Sequence, residues 1–95
     1  MAKDNVLSIT IATGAVNADT AFDLPAGVPE VGKILEAAII LPDKDTGVIT
    51  NTALTPVIDA ADIAADTISV VDGNSLRCGT ALTTLMLVRV TYRVK

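Results

Sequence analysis

The chain has 95 residues, 51% of them hydrophobic but only 2% aromatic, and a formal net charge of −4 with no histidine and one cysteine. That length makes one domain, residues 1–95, since single cores occupy about 100–150 residues. The lack of histidine excludes Ser-His-Asp triads, Cys-His pairs and His-ligated zinc, and the acidic balance argues against a nucleic-acid module, which needs clustered Lys and Arg.

Met1–Asn5 is charged, and Val6–Ile11 then alternates Leu7, Ile9 and Ile11 with Ser8 and Thr10. This reads as a first strand and not as the apolar core of a secretory signal. No stretch approaches the roughly 18 apolar residues of a membrane span. From Ala15 to Gly32 the chain is loop-like, punctuated by Pro25, Gly27 and Pro29, and only Ala21–Leu24 looks extended, with Phe22 and Leu24 turned to the core.

Ile34–Leu41 is ambiguous. Pro29-Glu30 can open a helix bearing Val31, Ile34, Leu35 and Ala38 on one face, but the run ends in β-branched residues, stops at Pro42 and is followed by the turn Asp43–Gly47 and Val48–Thr50. The strand reading, as a hairpin, is preferred. Val57–Asp66 is a weak helix or a loop, because its apolar positions are too few to define a face. Thr67–Val71, Asp72-Gly73-Asn74 and Ser75–Cys78 form the clearest hairpin, with an Asp-Gly turn where positive φ is expected.

The run Leu82–Lys95 alternates to its last residue. Leu82, Met86, Val88, Val90, Tyr92 and Val94 fall on one side; Arg89, Thr91, Arg93 and Lys95 fall on the other. Leu85 and Leu87 make its first half apolar on both faces, as expected for a strand central in the domain or covered by another subunit. Leu85, Leu87, Arg89, Arg93 and Lys95 are therefore the candidate interface residues, although a loop of the same chain over the two leucines is an equal alternative. The expected fold is all-β: a small antiparallel sandwich or jelly-roll-like barrel of six to seven short strands.

Three features carry chemistry only faintly. Asp43–Gly47 begins like a calcium loop but is shorter than the roughly 12 residues an EF-hand needs, and a solvent-exposed turn is the better reading. Asp59, Asp62 and Asp66 would repel one another on a helix, which favours a surface loop or a contact for a neighbour's arginine. Cys78, alone and without a histidine to activate it, reads as a small buried hydrophobe in a reducing compartment. No catalytic residue, cofactor site or metal site is assigned, and the chain is expected not to be an enzyme.

So apolar a chain with 19% charged residues is expected to self-associate, because contiguous exposed apolar patches mark contact surfaces. The alternative is a monomer whose many alanines inflate the hydrophobic count. The charge is uneven: Asp dominates from Asp4 to Asp72, whereas Arg77, Arg89, Arg93 and Lys95 gather at the end. That asymmetry can steer one copy onto another or simply keep an edge strand soluble.

An acidic, Thr/Ala/Asp-rich β-chain ending in Leu87–Lys95 resembles the small structural proteins of tailed bacteriophages, most closely capsid decoration or cement proteins. The resemblance implies a homo-oligomer, with a trimer favoured, the viral major capsid protein as partner, and a place on the capsid surface of a virion assembled in host cytoplasm. It implies no nucleic acid or membrane partner and carries over no residue role. The alternative function is a carbohydrate- or cell-surface-binding β-sandwich module, which so few aromatics disfavour.

Overall fold

A computed structural model of the chain describes residues 5–95. Met1–Asp4, the charged lead-in to the first strand, lie outside them. The described residues form seven strands and no helix: β1 (Val6–Ile11), β2 (Thr20–Asp23), β3 (Val31–Pro42), β4 (Ile49–Pro56), β5 (Thr67–Asp72), β6 (Ser75–Cys78) and β7 (Leu87–Val94). They hydrogen-bond in one continuous order, β1-β7-β3-β4-β5-β6-β2.

The protein is thus all-β, but its strands do not divide into two separate facing sheets. One mixed sheet curls into a half-barrel, which brings β5 against β3 although β4 lies between them in the order. The concave side closes over Ile11, Phe22, Ile34, Ile39, Leu54, Ile68, Leu76, Val88, Val90 and Tyr92. An aliphatic core with so few rings has to be filled from many strands at once, and every strand contributes to it.

β7 sits between β1 and β3, antiparallel to both. Its alternation explains why: Val88, Val90 and Tyr92 are wholly buried, while Leu87, Arg89, Thr91 and Arg93 face the other way. The strand starts at Leu87, not at Leu82 as the alternation suggests. Leu82 is buried, but through an isolated bridge to Val16, and residues 84–85 form a turn. The Tyr92 hydroxyl, carried into the core, donates to the Pro29 carbonyl at 2.7 Å, and burial pushes its pKa up.

β3 is a strand along its full 12 residues. Register shifts between Val31 and Lys33 and between Ile34 and Glu36 are what gave the sequence its helix-like spacing. Each shift inserts a residue that flips the alternation.

The one departure from antiparallel pairing is between β4 and β5, which run parallel through Thr55–Thr67 and Pro56–Ile68. Residues 57–66 carry the chain back as an irregular crossover, with no helical turn. The Asp72-Gly73-Asn74 turn lies where alternation puts it, but Gly73 is not among the positive-φ residues. A Cβ there would meet the exposed Glu30 side chain, 2.2 Å from its Oε1, which can swing aside.

Candidate interaction surface

The convex face of β1-β7-β3-β4 is built by residues alternating away from the core. Register places Thr10, Arg89, Ala38 and Ala53 in one row, Ser8, Thr91 and Glu36 in a second, and Val6, Arg93 and Lys33 in a third. Thr91 donates its hydroxyl to Ser8 Oγ at 3.1 Å, tying β7 to β1. Lys33 and Arg93 are thereby neighbours and with Arg89 make this face basic, although the chain as a whole is acidic.

Among the candidate interface residues, Leu87, Arg89 and Arg93 share this face. Lys95 follows the strand, and its backbone N–H donates to the Glu30 carbonyl at 3.0 Å. Leu85 is not on β7. It projects from the preceding turn, 70% exposed, and Leu87 pairs with Ile40 of β3. Leu87 thus joins the basic residues on one face, and Leu85 lies off it.

Leu85 meets an element that the sequence places as a solvent-exposed turn but not among the candidate interface residues. β3 and β4 continue past β7 as a hairpin arm, since β7 pairing ends at Ile40 whereas β3–β4 pairing runs on to Pro42–Ile49. The arm agrees with the 48 × 29 × 23 Å outline. Leu41, Pro42, Asp43, Lys44, Asp45 and Leu85 line a depression of about 310 Å³ along one side of the arm, and Val48 and Ile49 are each 58% exposed.

The arm's turn is locally determined. Asp43 Oδ1 accepts the N–H groups of Asp45 and Thr46 at 2.9 and 3.3 Å, and Gly47, at φ 74°, donates to the Asp43 carbonyl. The carboxylate that begins the calcium-like pattern is occupied by its own turn. Among the described residues no group of His, Cys, Asp and Glu is arranged to hold a metal ion.

A second polar constellation joins the crossover to β5 and β6. Asp59, from the crossover, accepts from Ser69 Oγ at 2.7 Å and from Arg77 Nε at 2.9 Å. Arg77 also donates through Nη1 to the Asp19 carbonyl, and the Asp19 carboxylate accepts the Ile63 N–H at 2.8 Å. The Ser69 hydroxyl, foremost, and then Arg77 hold the Asp59 carboxyl below its ordinary range. Of the two expectations for this segment, a surface loop or a contact for a neighbour's arginine, a loop forms, and the arginine that meets Asp59 belongs to its own chain.

Ser69 is buried and directs its hydroxyl at Asp59, so the trio pins the crossover and presents no hydroxyl to solution. Beside it, Gly32, Lys33, Ile34, Pro56, Val57, Ile58, Asp59, Ile68 and Val70 border a groove of about 430 Å³. Ile58 stands at its lip, 94% exposed. Cys78 is buried, and burial pushes its thiol pKa up.

No protein-family model matches the chain, and neither a curated protein nor a solved structure does.

Proposed function

We propose that this chain is a non-enzymatic structural subunit of a virion, a capsid decoration or cement protein acting through contacts between its own copies and with the major capsid protein. The observation that carries the reading is the apolar arm. Leu41, Pro42, Val48, Ile49 and Leu85 cluster at one end of a small domain whose core is already closed, and small soluble domains seldom leave such a cluster uncovered without a partner. The basic face of β7 next to it supplies charge for an acidic partner surface.

The carbohydrate-binding alternative gains nothing from the surface. Phe22 and Tyr92, the only Phe and Tyr in a chain without Trp, are both buried, so no ring is displayed for a sugar to stack on. Gold-labelled antibody against the chain, applied to particles purified from cells that produce it, tests the proposal. Label on intact shells is the expected result. Label confined to the soluble fraction, with bare particles, overturns it.

A further inference from the structure

Two edges of the four strands β1-β7-β3-β4 carry unused backbone groups. In an antiparallel pair, successive residues alternate between bonding the neighbour and pointing away from it. Val94 N–H donates to the Asn5 carbonyl, so by the β1–β7 register Leu7, Ile9 and Ile11 bond inward, while Val6, Ser8 and Thr10 turn their N–H and C=O outward. Asp43 N–H donates to the Val48 carbonyl, so on β4 Thr50, Thr52 and Leu54 bond β3, and Ile49, Asn51 and Ala53 point outward. The phase checks itself: the next outward residues, Thr55 and Val57, donate to Asp66 and Ile68. Ile49, Asn51 and Ala53 lie before β5 begins and have no backbone partner there among the described residues.

Monomeric sheet proteins protect such edges with charge, proline, bulges or shortness. β2, the far edge of the sheet, follows that rule: it has four residues and is bounded by Asp19 and Asp23. The other two edges break it. Neither Val6–Ile11 nor Ile49–Leu54 contains a charge or a proline, and the register shifts of this region fall on interior β3 instead.

We infer that the outward edge of β4 receives β1 of a second copy as an added antiparallel strand. This deepens the shell-subunit reading and rests on its premise that copies contact one another. Strand direction fits, because β1 and β4 run oppositely at the two margins of one antiparallel array, so the joint continues the alternation. Placing Ser8 opposite Asn51 sets Val6 against Ala53 and Thr10 against Ile49, which matches the outward groups on both strands and opposes no like charges. Symmetric β4–β4 pairing about Asn51 would leave the outward groups of β1 bare. Symmetric β1–β1 pairing would leave β4 bare. Only the head-to-tail joint uses both edges, and repeated joints close into a ring where the rotation allows.

The test uses the full chain, Thr10→Glu and Asn51→Glu, with mass read by light scattering after size exclusion. A glutamate at position 10 stands beside Arg89 of its own chain and one at position 51 is exposed, so both variants should retain the parent circular dichroism and melt. The wild type is expected to run as several copies and each variant as a 9.8 kDa monomer. An equimolar mixture of the variants is expected to form a pair that grows no further, because each retains the edge the other has lost. A monomeric wild type, a variant that assembles like wild type, or a mixture that stays monomeric overturns the inference. Particle labelling is a separate readout, so either proposal can fail while the other stands.

Discussion

Gly79 shows how one hydrogen atom in place of a methyl group positions the crossover. A Cβ at this site would lie 1.9 Å from the Ala64 carbonyl oxygen, a backbone atom that cannot step aside. Gly79→Ala is therefore expected to destabilise by about 3 kcal/mol, the upper range for overpacking, and a urea melt measures it. Asp59 holds the same segment electrostatically. Its folded pKa lies below the ordinary 3.8, so its contribution is full above that value and is lost as pH falls through the lower folded value. Wild type should lose stability more steeply than Asp59→Asn as pH falls below 3.8, because in the variant this group no longer titrates. Parallel pH slopes in the two proteins would show that the Asp59 contacts contribute nothing.

At the scale of elements, the arm and the body are separable. Leu41 and Thr50 are a hydrogen-bonded pair by the β3–β4 register, and the residues between them are exposed. Replacing residues 42–49 by Asn-Gly, the preferred two-residue hairpin loop, should leave stability within about 1 kcal/mol of the parent, as read by thermal melts. A collapse of the melt would mean that the arm belongs to the core. The same elements show what the sequence made legible. Alternation located β1, β5, β6 and most of β7, because each turns every second side chain into a core. It overran β7 at its start, since Leu82 and Met86 continue the period although turn geometry at 84–85 has broken the strand. It left β3 open to a helix reading because the two register shifts mimic helical spacing. That Val48 and Ile49 are apolar and yet exposed had no local signal. Exposure there depends on where β7 stops.

For the whole molecule, the strand order determines when the chain can fold. β1 pairs with β7 from the opposite end of the sequence, and β7 lies between β1 and β3. Before β7 exists only two hairpins of local origin are available, β3–β4 and β5–β6, and isolated hairpins are marginal in water. The buried side chains of Val88, Val90 and Tyr92 fill the centre of the core, so a chain ending at Ala81 leaves Ile34, Ile39 and Leu54 without the strand that covers them. That truncated chain is expected to lack a cooperative thermal transition and to fail to accumulate in soluble form. The complete chain should refold in one phase on the millisecond-to-second scale typical of β-proteins dominated by distant pairings. A cooperative melt from the truncated chain would mean that the first six strands form a domain by themselves, with β7 only an addition to it. The alternating leucine, valine and tyrosine pattern at the end of the sequence, which points to the strand's two faces, would then not be what organises the sheet.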